Sequence, residues 1–172
     1  VIAVRLKNFT VVPGRLERIT GAPGAQVFVD YAHTPAAMRA ALSLLRALTP
    51  GRLLVVYGCG GQRDRSQRAP LTKIVQEIAD QVWVTADNPR AEPLADIFAD
   101  QQAGVIAAER IAFVPDRREA IRQALAAARI GDCVLIAGKG HEIYQKLADT
   151  IVPFDDRQVA RELLVPATRR LI

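Results

Sequence analysis

Residues 26–48 read "QVFVDYAHTPAAMRAALSLLRAL". An apolar, strand-like run passes directly into a helical pattern. In the second half, Met38, Leu42, Leu45 and Leu48 fall on one helical face. Thr34 suits an N-cap, because its hydroxyl can accept a free N–H of the first turn. Pro35 suits the first helical position, where no N–H is needed.

The same unit recurs along the chain. Strand-like runs begin at Arg52 ("RLLVVYG"), Gln81 ("QVWVTA"), Ile111 ("IAFVP") and Cys133 ("CVLIAG"). Helical patterns lie between them. Pro70 and Pro93 can open the second and third helices. Leu71, Ile74, Val75 and Ile78 give the second its buried stripe. Asp116 and Glu119 have capping-box spacing ahead of Ile121, Ala124, Leu125 and Ala128, and Gly131 is expected to end that helix. Strand then helix, repeated, predicts an α/β fold: a Rossmann-like, mostly parallel six-stranded sheet with helices on both faces. "RLERIT" from Arg15 and "TIVPF" from Thr150 are expected as edge strands. "DDRQVARELL" from Asp155 is expected as a closing helix, with Val159, Ala160, Leu163 and Leu164 turned inward.

The chain has 172 residues, 50% hydrophobic and 24% charged, enough for one domain with its own core. No apolar run is long enough to span a bilayer, and no signal peptide is read. Cys59 and Cys133 have no metal-ligand spacing and are expected as reduced thiols, which fits a cytoplasmic setting. The first residue is Val1, so the chain is read as a piece of a longer one. Net charge is +5, which favours anionic partners. Nucleic acid is disfavoured, because aromatics are only 5% and acids are interspersed among the bases.

In a parallel sheet the carboxyl ends share one edge, where ligands bind in open α/β folds. Here the loops reaching that edge are "DYAHTP" from Asp30, "GCGGQRDRSQR" from Gly58, "DNPR" from Asp87 and "GKGHE" from Gly138. Each has a plain reading as well. "GCGG" can be a tight turn, and it matches neither a Walker sequence nor G-x-G-x-x-G. Arg63, Arg65 and Arg68 can be a solvated charge run. His33 can help cap a helix, and His141 can lie on the surface. "DNPR" can be a turn made by Asp87, with Pro89 holding Asn88 extended. That leaves Arg90 unexplained, and a planar guanidinium held in place suits a carboxylate. The loops together point to a small polar molecule carrying both charges.

Taken in order, "VPGRLERI", "VDYAHTP", "GCGGQRDRSQR", "TADNPR" and "GKGHEIYQ" resemble the C-terminal domain of a Mur ligase. The match is closest to the branch that adds the third residue of the peptidoglycan stem peptide. The resemblance covers nearly the whole chain. It implies residues 1–14 as the tail of a central ATPase domain plus a hinge at Pro13-Gly14, and 15–172 as the amino-acid-binding domain. In this family "DNPR" goes with meso-diaminopimelate, while lysine-adding members differ there. The implied diaminopimelate pocket is Arg63, Asp87, Asn88, Pro89, Arg90, Gly138 and Glu142. Asp87 and Glu142 would take ammonium groups, and Arg63 and Arg90 carboxylates. Arg15, Asp30 and His33 would contact nucleotide, Asp30 at the ribose. Gln62 and Ala86 depart from acids common in relatives.

The resemblance further implies ATP and Mg2+, bound mainly by domains outside this chain, and UDP-MurNAc-L-Ala-D-Glu as acceptor. No catalytic residue or metal ligand is assigned here. The chain is expected to be monomeric and, alone, inactive as a ligase. A folylpolyglutamate synthase-like ligase domain and a non-enzymatic amino-acid- or nucleotide-binding module are the alternatives.

Overall fold

A computed structural model describes residues 12–20 and 24–165. Most of the expected tail, residues 1–11, lies outside the described residues. The strands of the main sheet are β1 (Glu17–Ile19), β2 (Gln26–Asp30), β3 (Leu53–Tyr57), β4 (Gln81–Val84), β5 (Ile111–Phe113) and β6 (Cys133–Ala137). Their spatial order is β1-β2-β6-β3-β4-β5. β1 runs antiparallel to β2, and every other pairing is parallel.

β3 reads "LLVVY" and is buried throughout, as a central strand covered on both faces must be. Leu53, Val55 and Tyr57 enter one core, and Leu54 and Val56 the other. The first core packs α1 (Pro35–Leu48) and α2 (Arg68–Ile78), with Phe98 of α3 (Leu94–Gln102) against it. The second packs α4 (Arg117–Ala127) and α5 (Asp156–Leu164). From β2 to β5 the chain advances with α1, α2 and α3 on one face. It then returns through α4 on the other face to place β6 between β2 and β3. Right-handed crossovers require that change of face when the direction reverses. The loops after β3 and β6 therefore diverge, and a crevice opens at the carboxyl edge.

Local signals mostly act as read. Thr34 Oγ1 accepts the Ala37 N–H at 3.3 Å, and Asp116 Oδ1 accepts that of Glu119 at 2.9 Å. Four expectations change. Leu48 is 67% exposed, because α1 ends there and its last turn overhangs the core. α2 starts at Arg68 rather than Pro70, because a 3-10 turn capped by Asp64 feeds it. "TIVPF" does not edge the main sheet. Its residues Thr150–Pro153 form β8, which pairs antiparallel with β7 (Tyr144–Leu147) in a separate hairpin. Gly131 stands in the left-handed region at φ +89°, beyond α4, which stops at Ala127. No described helix is long and apolar enough to cross a membrane.

One ion pair is buried outright. Arg117 and Asp156 open α4 and α5, and both side chains are 0% exposed. Arg117 Nε donates to Asp156 Oδ1 at 2.7 Å and Nη2 to Oδ2 at 2.7 Å. Nη2 also reaches the Ala137 carbonyl at 2.9 Å and Nη1 that of Ala86 at 3.4 Å. Arg117→Met strands a buried carboxylate and is expected to lower stability by about 3–5 kcal/mol in urea denaturation. Arg117→Met/Asp156→Leu is expected to recover at least half of that loss.

Candidate functional site

A cavity of about 340 Å³ opens at the carboxyl edge, walled by the loops after β2, β3, β4 and β6. Arg63, Asp87, Asn88, Arg90, Gly138, Glu142 and His33 all line it. Pro89, Arg15 and Asp30 do not.

The two acids are treated differently by their surroundings. Asp87 is only 8% exposed, and its carboxylate accepts no hydrogen bond from the described residues. Burial raises its pKa, outweighing Arg117 and Lys139. Gly138 permits this placement. Its φ is +110°, and a Cβ there would lie 2.7 Å from Asp87 Oδ2. Glu142 is instead fully engaged on one oxygen. Its Oε2 accepts from Lys139 Nζ at 3.0 Å and Asn88 Nδ2 at 2.8 Å. Burial pushes Glu142 up, but those two donors outweigh it and hold the carboxyl below its usual range. The cavity thus offers one committed carboxylate and one that lacks a partner and gains from a cation.

Two arginines line the same cavity. Arg63 is exposed and makes no hydrogen bond or ion pair with the described residues. Arg90 is held by its backbone: φ is +55°, its N–H donates to the Lys146 carbonyl at 3.0 Å, and its carbonyl accepts from Ala148 N at 2.7 Å. The hairpin β7–β8 is therefore the clamp that aims this side chain. Arg90 Nη1 donates to the Gly61 carbonyl at 2.7 Å and to that of Asn88 at 3.3 Å. The remaining N–H groups stay available to a ligand. Gly61 is required here, since a Cβ would stand 1.8 Å from the Pro89 carbonyl oxygen.

Of the residues expected to contact nucleotide, Arg15 and His33 both pack on the Tyr31 ring, and Asp30 directly precedes Tyr31. Asp30 gives one oxygen to Leu16 N at 2.7 Å and the other to Ala32 N at 2.8 Å, so its carboxylate already ties β1 to the loop after β2. Arg15 lies over the Tyr31 ring at 4.6 Å, and His33 and His141 sit 4.8 and 5.2 Å from that ring. His33 Nδ1 donates to the Tyr31 carbonyl at 2.8 Å. These planar side chains form a rim beside the cavity.

Sequence reasoning missed the supporting residues. Lys139 is 0% exposed although it sits between glycines in an edge loop. Asn88 is 3% exposed and held on both ends of its amide: beyond Glu142, its Oδ1 accepts from Lys139 Nζ at 3.2 Å and Lys146 N at 2.9 Å. It lines the cavity and also ties Lys139, Glu142 and Lys146 together. Gln145 Nε2 donates to the carbonyls of Ala86 and Asp87. Arg68 is buried in ion pairs rather than solvated. Cys59 lines the cavity, but burial pushes its thiol up to about 12, so it is a poor nucleophile.

The family model for the Mur ligase glutamate ligase domain matches residues 14–140. The chain belongs to the Mur ligase family. It is 49% identical over 164 residues to the UDP-N-acetylmuramoyl-L-alanyl-D-glutamate--2,6-diaminopimelate ligase of Gloeobacter violaceus, covering 95% of this chain and 34% of that protein. The enzyme of the same name from Synechococcus elongatus is 48% identical, with 90% and 31% covered. A solved structure of a ligase of that name superposes with TM-score 0.84 at 37% identity, over 95% of this chain and 36% of the other. The chain thus spans about a third of the length of these relatives. A bifunctional folylpolyglutamate synthase/dihydrofolate synthase from Yersinia pestis, at TM-score 0.56 and 23% identity, shares the fold alone.

The unpartnered acid gives a stability test. A carboxyl whose folded pKa is raised opposes folding above its unfolded pKa and stops doing so below it. Asp87→Asn is therefore expected to raise the Tm of the empty domain at pH 7. That gain should fade as pH falls toward about 4, the ordinary Asp range, and be absent below it, in thermal scans across pH.

Proposed function

We propose that this chain is the amino-acid-binding domain of an ATP-dependent ligase that joins meso-diaminopimelate to UDP-MurNAc-L-Ala-D-Glu. The supporting observation is one cavity lined by Asp87 and Glu142 together with Arg63 and Arg90. Diaminopimelate carries two ammonium and two carboxylate groups, so its charges complement that arrangement. The volume, about 340 Å³, suits a ligand of that size. The names of the relatives point the same way.

In the reaction, a carboxylate oxygen of the acceptor takes the γ-phosphoryl group of ATP, giving an acyl phosphate and ADP. The diaminopimelate ammonium loses a proton, and its amine attacks the acyl carbon. The carbon–oxygen bond to phosphate breaks as the amide forms, and phosphate departs. This domain supplies orientation. Asp87 and Glu142 hold ammonium charge, Arg90 and Arg63 hold carboxylates, and the reacting amine is presented to the acyl phosphate. Such fixing is worth a large part of a bimolecular barrier.

The rim of Arg15, Tyr31, His33 and His141 is the nucleotide-facing part of this reading. The described residues hold no group of three His, Cys, Asp or Glu side chains arranged for a metal. The magnesium that accompanies ATP is assigned to the length of the relatives not covered here, and no step is routed through it. Residues through Pro13-Gly14 serve as the hinge in this scheme, closing the domain over ATP. The chain alone is inactive as a ligase, and the setting is a cytoplasmic monomer.

Joining the chain to the upstream portion its relatives carry and measuring phosphate release tests this. With meso-diaminopimelate, activity is expected, and with L-lysine very little, because lysine leaves Arg90 without its carboxylate. Arg90→Ala is expected to reduce kcat/KM for diaminopimelate by about 100-fold or more and to erase the preference. Equal use of lysine by the unsubstituted enzyme would refute the specificity.

A further inference from the structure

Arg68 lies under the glycine loop with its side chain 2% exposed. Its Nη1 donates to Glu92 Oε1 at 2.6 Å and Asp100 Oδ2 at 2.8 Å. Its Nη2 donates to Glu92 Oε2 at 2.8 Å and the Gly60 carbonyl at 3.2 Å. Glu92 Oε2 also accepts the Gln62 N–H at 2.7 Å, where the backbone turns through φ +54°. Gln62 directly precedes Arg63, and Glu92 follows Arg90 by two residues. A turn from Glu92 N to the Pro89 carbonyl, 3.1 Å, fixes that second interval. The loops also meet head-on, with Gly61 N donating to the Asn88 carbonyl at 2.9 Å and Arg90 Nη1 to that of Gly61 at 2.7 Å. Outside, Arg65 closes the network with paired bonds to Asp100 at 2.8 and 2.9 Å.

We propose that Arg68 and Glu92 form a positioning latch that fixes the spacing of Arg63 and Arg90, and so selects a ligand bearing a carboxylate at each end. The latch rests on the function proposed above. Glu92 does not line the cavity. It acts through the two loops it joins. A planar guanidinium gripping one carboxylate at two points sets direction as well as distance, which neither a lysine nor an amide reproduces. The hydrogen bonds from Arg68 hold Glu92 down to about 2, so the latch is charged throughout the neutral range. Buried on the Arg68 side, it is screened less than a surface pair. Arg65 and Asp100 shield the remaining face.

A brace that served stability alone would lower Tm and change activity equally whether or not Arg90 is present. A positioning latch acts through Arg90. In the restored enzyme, Glu92→Gln is expected to raise KM for meso-diaminopimelate about tenfold, leave kcat within about threefold and leave KM for ATP unchanged. In an Arg90→Ala background the same substitution is expected to shift that KM less than about threefold, because coupled residues are not additive. If Glu92→Gln fails to fold, Asp100→Asn removes one arm from Arg68 and keeps the Gln62 bond. A smaller rise in KM, again dependent on Arg90, is expected. An unchanged KM, or equal shifts in both backgrounds, overturns the latch. Loss of preference in Arg90→Ala with no response to Glu92→Gln overturns the latch alone. No preference in the unsubstituted enzyme overturns the proposed function and the latch with it.

Discussion

Parallel strands that end together leave carbonyls that no further strand pairs. At the edge of this sheet Ala137 ends β6 and Ala86 lies two residues past β4, both next to the loops that wall the cavity. Arg117 reaches both, and Asp156 fixes Arg117. An unsatisfied buried carbonyl costs about 1–3 kcal/mol; Arg117 supplies a side-chain donor to that of Ala137 and shares that of Ala86 with Gln145. Arg117 lies on α4 and Asp156 on α5, so the packing of the second core sets the geometry of the site. A shift of either helix would move the strand ends on which Asp87 and Gly138 stand.

On that base the loops support one another. The "DNPR" segment is held from one side by Gln145 and the hairpin, and from the other by the glycine loop. Asn88 joins it to Lys139 and Glu142. The outcome is a cavity with committed and uncommitted charge. Glu142 is neutralised by the protein's own lysine, whereas Asp87 and Arg63 have no partner among the described residues. A protein selected for stability alone would pair or remove a buried acid such as Asp87. For buried Asp87, staying open places the cost of a buried charge in the empty state, which a cation would relieve; exposed Arg63 carries no such cost.

The sheet was legible because its signals are local and redundant. "LLVVY" has no polar face, Thr34-Pro35 marks a helix start, and four edge loops carry the glycines and charges. What was not legible depends on distant partners. "RDRSQR" looks like a solvated run, and only folding shows Arg68 meeting Glu92 and Asp100, 24 and 32 residues away. Lys139 reads as a loop cation until Asn88, 51 residues earlier, is placed beside it. The hairpin was misplaced because "TIVPF" has strand composition, while its partner "YQKL" is too polar and short to register as a strand. In the sequence Arg90 stands out because the turn reading of "DNPR" leaves it unexplained. Its aim in fact comes from a left-handed backbone pinned by Lys146 and Ala148.

The central claim is that this cavity reads a molecule with a carboxylate and an ammonium group at each end. A crystal structure of the chain with meso-diaminopimelate, beside one with L-lysine, tests it most directly. The account predicts diaminopimelate in the cavity, one carboxylate about 3 Å from Arg90 and an ammonium about 3 Å from Asp87. The lysine crystals should show that place empty or weakly filled. Diaminopimelate bound with both carboxylates away from Arg63 and Arg90, or lysine seated equally well, would contradict it.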